Sequence, residues 1–146
     1  AILVHQNLIS HPEVPKKFSD EVMFELARDY LAAGLLDRAE SLFFKLKTSK
    51  GFGQKSLKWL VEIYQQEKEW EKALECGLEY NAFKGVDISV QLSHIACEVA
   101  ELLMMRHHYW DARNKLREAL GFDRRCVRAT LLLAKLQMKE GHQTSR

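Results

Sequence analysis

The chain has 146 residues, enough for one compact domain or a short solenoid, and 47% of them are hydrophobic while 29% are charged. This balance is typical of a folded, soluble protein and argues against intrinsic disorder. The 22 basic and 20 acidic residues leave a formal net charge of +2, so the chain has no field that would select nucleic acid or an anionic membrane.

The three cysteines, Cys76, Cys97 and Cys126, are far apart in the sequence, and none belongs to a C-x-x-C motif that could bind zinc or exchange disulfides. They are predicted to be buried, reduced thiols. No stretch approaches the ~18 consecutive apolar residues of a membrane span, and the opening AILVHQNLI has neither the basic segment nor the cleavage site of a signal peptide. We therefore expect a cytosolic setting.

In chain order, the first predicted element is a partial repeat at residues 1–17. Ala1 to Ile9 places apolar residues on one helical face and is interpreted as the second helix of a hairpin, so the sequence is expected to begin within a repeat. Pro12 and Pro15 disfavour helix and predict a connection. Helices are then predicted at about 20–33, 37–47, 54–66, 70–83, 88–105, 109–120 and 124–140.

Polar residues near the helix ends predict caps. Ser19 or Asp20 is expected to cap the first helix, and Asp37 with Glu40 has the spacing of a capping box for the second. The last full helix is expected to lead to Gly141.

Small and aromatic residues recur along these helices at a nearly fixed interval. The pattern of a tetratricopeptide hairpin is met by Leu26, Ala27, Tyr30, Gly34, Ala39 and Phe43, with Gly34 at the turn. It returns 34 residues later at Leu60, Val61, Tyr64, Lys68, Ala73 and Gly77, and a further 39 residues on at Val99, Ala100, Leu103, His107, Ala112 and Leu116. A weaker match follows at Leu133, Ala134, Gln137 and Gly141. The longer interval predicts a longer loop at Lys84 to Ser89, where Gly85 and Asp87 favour a turn and a cap.

This periodicity predicts an all-α fold, a tetratricopeptide-repeat superhelix of antiparallel helical hairpins. Two short helices cannot bury enough apolar area alone, so each hairpin must stack on the next. The predicted complete repeats are 20–53, 54–87 and 93–126, between partial repeats at 1–17 and 127–146. Ordinary amphipathic helices with accidental spacing are the alternative.

The candidate catalytic groups are scattered over helices that do not obviously meet, so no enzymatic activity is predicted. His107 and His108 are adjacent and are interpreted as a solvated turn, while Glu69 and Glu71 are interpreted as exposed helix charge. The chain has no glycine-rich phosphate loop and no metal-ligand spacing, so no cofactor or metal is expected in it.

Stacked hairpins offer instead a concave wall built from the first helix of each pair, and this wall is predicted to bind protein. Six residues on its outward face form the partner-binding hypothesis: Arg28, Lys55, Lys58, Trp59, Glu62 and Glu98. Trp59 is interpreted either as an exposed interface anchor or as packing against a neighbouring repeat. Glu62 and Glu101 occupy places where some tetratricopeptide domains hold the terminal carboxylate of a chaperone, so that ligand class is disfavoured.

Four stretches are more specific than the repeat itself: HQNLI at 5–9, ARDYLAAGLLDRAESLF at 27–43, EIYQQEKEWEKALE at 62–75 and AKLQMKEG at 134–141. In these stretches and in its longer third interval, the chain resembles the lipopolysaccharide assembly protein B family. The resemblance implies an adaptor at the cytoplasmic face of the bacterial inner membrane. Such an adaptor would bring the deacetylase that commits lipid A synthesis to a membrane-bound AAA+ protease and so limit lipopolysaccharide production.

The same resemblance implies two parts that this sequence lacks, an N-terminal membrane helix and a C-terminal rubredoxin-like domain that binds metal through paired C-x-x-C motifs. The membrane helix would supply the only membrane contact, and no metal ligand is carried over to Cys76, Cys97 or Cys126. Some family labels suggest an N-acetylglucosaminyl transferase. The alternative function is therefore that of substrate-docking repeats of such an enzyme, although nothing catalytic in the sequence supports it.

Overall fold

The computed structural model describes residues 16–144 and, within them, the side chains of residues 18–140. Every regular element in that range is an α-helix, which confirms the predicted all-α fold. The helices are α1 Lys16–Ala32, α2 Leu36–Leu46, α3 Gly53–Gln66, α4 Trp70–Asn81, α5 Ser89–Met105, α6 Tyr109–Phe122 and α7 Val127–Thr144. The helix predicted at residues 1–9, with Pro12 and Pro15 after it, lies outside the described residues.

The helices form two compact units, one ending at Glu67 and the other beginning at Lys68. In the first unit, α2 packs against both α1 and α3. In the second unit, α5 packs against α4, α6 and α7, and α6 also packs against α7. The division falls between the two helices of the predicted repeat at 54–87, and the repeat boundaries stay predictions.

The core of the first unit uses the small and aromatic residues that the repeat pattern selected. Ala27 and Ala39 have no exposed surface, and their small side chains let α1 and α2 approach closely. Phe43 fills the wider space and meets Phe24 edge to face, with ring centroids 5.7 Å apart. Phe24 is therefore part of the core.

The second unit repeats this packing with aliphatic residues. Ala100, Ala112 and Leu116 are fully buried in one cluster. Ala134, the small residue of the weaker fourth match, is exposed on α7 rather than buried at a helix crossing. The buried side of α7 is formed instead by Ala129, Leu132 and Leu136.

The short turn after α1 ends that helix with a Schellman motif. Gly34 has a φ of +78°, and the N–H of Leu35 donates to the carbonyl oxygen of Tyr30 at 2.9 Å. Lys68 and His107, the equivalent turn residues in the predicted repeats, have φ values of +61° and +62°. The three predicted turns are thus confirmed, and two of them hold a left-handed conformation without glycine.

The predicted capping box at the start of α2 is wrong. Leu35 occupies the N-cap position of this helix, and no side chain makes a capping hydrogen bond there. The tight turn at Gly34 starts the helix immediately at Leu36, which places Asp37 and Glu40 inside it rather than at its cap.

Two other helix ends also differ from the predicted positions. α1 begins at Lys16, so Ser19 and Asp20 lie within the helix and not at its cap. α7 continues past Gly141 to Thr144. The sequence marks helix ends weakly because tertiary packing extends a helix beyond its local stop signals.

The loop between α4 and α5 has the predicted turn at Gly85, but Ile88 rather than Asp87 is the N-cap of α5. Gly85 has a φ of +83°, and the Asp87 carboxylate accepts a hydrogen bond from the N–H of Ser89 at 3.0 Å. The side chain of Asn81 accepts from the N–H of Ile88 at 2.8 Å and ties the two ends of the loop together.

Candidate protein-binding site

Trp59 lies on α3 with part of its indole packed and part open to solvent. Its ring is nearly parallel to that of Phe43, with ring centroids 6.3 Å apart and an interplanar angle of 18°. Phe43 is fully buried on α2, whereas Trp59 is half-buried. The Trp59 side chain therefore packs against the core and is also partly accessible to solvent, two roles that were predicted as alternatives.

A surface pocket of about 370 Å³ opens beside Trp59 in the first unit. Its lining comes from the end of α1, the following turn, the start of α2 and the second half of α3: Leu31, Gly34, Leu36, Trp59, Glu62, Ile63 and Gln66. The apolar members shape a cavity for an apolar group, while Glu62 supplies a carboxylate at its wall.

Three more carboxylates of the first unit belong to residues that are close to the pocket lining in the sequence. The side-chain oxygens of Asp37, Glu40 and Glu67 all lie within 4.8 Å of one another, and the residues are exposed or half-exposed. Glu40 also accepts a hydrogen bond from the hydroxyl of Tyr64 at 2.9 Å. Exposed carboxylate groups of this kind are common without a metal ion, so the geometry alone assigns no cation to them.

The basic residues of the first unit's predicted surface are exposed and lie apart from the pocket lining. Arg28 on α1 approaches Glu25 at 3.9 Å, a weak exposed pair. The Lys55 ammonium lies 6.0 Å from the centroid of the Phe52 ring, and Lys58 is exposed one residue before Trp59. Along α3, positive charge precedes the indole and negative charge follows it.

Glu98 belongs to the second unit and is already engaged in an ion pair there. Arg128 donates to Glu98 at 2.8 Å and to Glu101 at 3.0 Å, joining α7 to α5. Although burial lowers it, the pKa of Arg128 is raised overall by its hydrogen bonds to both glutamates. This arrangement holds Arg128 charged and directs the Glu98 carboxylate toward a residue of its own chain.

Among the residues whose side chains are described, the cysteines and histidines form no catalytic arrangement. All three cysteines are free and buried, as predicted, and the sulfur atoms of Cys97 and Cys126 lie 3.9 Å apart. Burial raises the pKa of Cys97 to about 12, so this thiol is protonated at neutral pH. His107 is exposed at its turn, and its Nδ1 lies 2.7 Å from the hydroxyl of Tyr109.

No protein-family model matches the chain. It is 33% identical over 141 residues to lipopolysaccharide assembly protein B of Haemophilus influenzae, an alignment that covers 97% of this chain and 35% of the relative. The protein of the same name from Escherichia coli K12 is 29% identical over 141 residues, covering 97% of this chain and 36% of the relative. The chain is a homologue of part of lipopolysaccharide assembly protein B.

The similarity to lipopolysaccharide assembly protein B confirms the resemblance inferred from the sequence. The chain spans about a third of the length of these curated relatives. Their name describes a protein of lipopolysaccharide assembly. Among the helices of the described region, none is both long and apolar enough to cross a membrane.

The structure brings together only part of the surface predicted in this lipopolysaccharide assembly protein B homologue. Trp59 and Glu62 line one pocket, whereas Arg28, Lys55 and Lys58 are exposed outside its lining. Glu98 lies in the other unit. Sequence reasoning missed Leu31, Leu36, Ile63 and Gln66, because their role depends on how α1, α2 and α3 pack together.

Proposed function

We propose that this chain is a protein-binding part of an adaptor that regulates lipopolysaccharide production. The observation that carries the proposal is its similarity to lipopolysaccharide assembly protein B over 97% of its length. The exposed side chains and the Trp59 pocket of the first unit supply a surface of the type used in protein interfaces, with an aromatic residue among charged ones.

The proposed partners are the deacetylase that commits lipid A synthesis and a membrane-bound AAA+ protease. The adaptor acts at the cytoplasmic face of the bacterial inner membrane, where it presents the first to the second. An adaptor needs a shaped surface rather than convergent reactive groups, which is consistent with the buried cysteines and the exposed His107.

The proposed contact surface of the first unit consists of residues named from the sequence: Arg28, Lys55, Lys58, Trp59 and Glu62. Trp59 and Glu62 are its centre, since they share a pocket. Glu98 is proposed separately as a contact residue of the second unit, and a weak one, because Arg128 already pairs with its carboxylate. We propose no metal ligand or cofactor contact for this part of the protein.

The proposal is tested by affinity capture of the purified deacetylase and protease on this chain, with the full-length relative as a positive control. Capture of either protein by both baits supports the adaptor role. Capture by the full-length relative alone would assign binding to other parts of it. A sugar-nucleotide donor that raises the melting temperature of the chain and is turned over would favour the transferase alternative, since a ligand of the folded state must stabilise it.

A further inference from the structure

The walls of the Trp59 pocket combine apolar and polar surface. Leu31, Leu36 and Ile63 line it with the indole, while Glu62 and Gln66 are its polar side chains. Its volume of about 370 Å³ is near the lower end of the ~300–1,000 Å³ typical of ligand pockets. Since it lies at the surface, it suits a side chain that projects from a bound polypeptide.

Two helices end beside this pocket. Leu31 lies in the last turn of α1, and Gln66 is the last residue of α3. The C-terminal end of a helix carries a partial negative charge, so both ends favour a positive group nearby. α2 begins here with the opposite polarity, but the acidic Asp37 lies in its first turn.

The one charged side chain in the pocket lining is acidic. Glu62 lines it, while Asp37 and Glu67 directly follow the lining residues Leu36 and Gln66 in the sequence. The basic Lys58 directly precedes the lining residue Trp59, and Lys55 lies one turn earlier on α3. The nearby Arg38 lies over the Tyr30 ring, 5.7 Å from its centroid. The charge of the lining itself therefore comes from Glu62.

From these features we infer that the Trp59 pocket binds a segment of a protein partner in which an aliphatic side chain is flanked by arginine or lysine. This inference rests on the proposed protein-binding function. The aliphatic group packs against Leu31, Leu36 and Ile63, while the cation pairs with Glu62 and lies over the face of the indole. Arginine suits the site better than lysine, because its planar guanidinium can stack on Trp59 while it bonds the carboxylate.

The charge of the pocket disfavours other classes of occupant. A terminal carboxylate, an anionic lipid headgroup or a nucleic-acid phosphate would meet Glu62 and the two helix ends with the same sign of charge. A second copy of this chain is the remaining alternative occupant. The test below includes it as an outcome that overturns the inference.

The first experiment selects phage-displayed random short peptides on the immobilised wild-type chain and, in parallel, on its Glu62→Lys variant. Enrichment on the wild type of sequences that place Leu, Ile, Val or Met beside Arg or Lys, lost on the variant, supports the inference. Enrichment of acidic sequences, enrichment that persists on the variant, or no enrichment overturns it.

The second experiment measures affinity by fluorescence polarisation, using the most enriched peptide with a fluorescein label. Glu62→Lys should weaken binding by about tenfold or more, and changing the arginine of the peptide to glutamate should restore binding to this variant. Glu75→Lys makes the same charge change at an exposed position of α4 and serves as the matched control. Equal weakening by both variants, or no restoration, overturns the inference.

The inference and the proposed function fail in distinguishable ways. If the peptide binds as described but neither the deacetylase nor the protease is captured, the pocket chemistry stands and the named partners do not. If a partner is captured equally by wild type and Glu62→Lys, the adaptor role stands and the pocket inference falls. A last outcome concerns self-association. If no peptide is selected and sedimentation shows concentration-dependent dimers that the Glu62→Lys change abolishes, the pocket belongs to a dimer contact and the inference is overturned.

Discussion

The indole of Trp59 lies parallel to the ring of Phe43, with centroids 6.3 Å apart, so the residue central to the proposed surface also joins α3 to α2. Trp59→Ala should lower the free energy of unfolding by about 2 kcal/mol, less than the ~3–5 kcal/mol of a fully buried aromatic residue, because part of the residue is open to solvent. Urea unfolding measures this change.

The chain offers a matched control for that substitution. Trp110 is 70% exposed, so Trp110→Ala should change stability by no more than about 0.5 kcal/mol. Trp59→Phe should keep most of the stacking energy. Equal effects of the two tryptophan-to-alanine changes would contradict a packing role for Trp59.

Ala39 has no exposed surface where α2 packs against α1. Ala39→Leu should overpack this crossing and destabilise the protein by about 1–3 kcal/mol, since the close approach of the two helices leaves no room for a longer side chain. Thermal unfolding checks the change against Ala32→Leu, which alters an exposed alanine of α1. A fully stable Ala39→Leu protein would show that the crossing is looser than described.

Two glycines should respond to alanine with opposite sign. A β-carbon at Gly53 would lie 2.6 Å from the carbonyl oxygen of Lys47, a backbone atom that cannot turn aside, whereas at Gly121 it would meet nothing within 4 Å. Gly53→Ala should therefore destabilise the protein. Gly121→Ala, within α6, should stabilise it by about 0.5–1 kcal/mol, because alanine lowers the entropy of the unfolded chain. Chemical denaturation of both variants measures the signs, and the same sign in both would contradict this view.

Arg128 and Glu98 should contribute little to stability despite their 2.8 Å contact. Their side chains are 32% and 30% exposed, and exposed ion pairs are typically worth less than about 1 kcal/mol. A double-mutant cycle with Arg128→Met and Glu98→Gln measures the coupling free energy, which should fall as salt is added. A coupling that is large and insensitive to salt would indicate a desolvated pair.

Cys97 should make stability decrease at alkaline pH. Burial raises its pKa in the folded protein to about 12, while an unfolded thiol ionises near pH ~8.5. Because the pKa of Cys97 is higher in the folded than in the unfolded protein, the contribution of this thiol to stability is complete below the unfolded pKa. It is lost as the pH rises toward the folded pKa. Between pH ~8 and pH ~10, wild type should lose more stability than Cys97→Ala. Parallel losses in the two proteins would contradict the raised pKa.

Much of this fold was predictable from the sequence because the relevant signals are local. The spacing of Ala27, Tyr30 and Ala39 identified a helical pair and its buried faces, since a helix brings residues three and four apart onto one side. Gly34 marked the turn because it can adopt a positive φ without strain. The turns at Lys68 and His107 followed only from the repeat interval.

The candidate site was only partly predictable. The sequence pointed to Trp59 and Glu62 on one face of α3, which helical periodicity determines. It did not show that Leu31 and Leu36, which lie on other helices, complete a pocket, nor that Arg128 forms an ion pair with Glu98. Such neighbours lie many residues apart and depend on how the helices pack.

By itself, the sequence determined the all-helical class of the described chain, most of the helix positions and the family that it resembles. Composition, periodicity and short sequence stretches carry this information because each is read within a few turns of helix. Tertiary structure alone decided that Trp59 is half-buried on Phe43, that the thiols of Cys97 and Cys126 lie 3.9 Å apart, and that a pocket opens where α1 and α3 end. The physical reason is that burial and charge pairing between helices are set by packing, which no local spacing encodes.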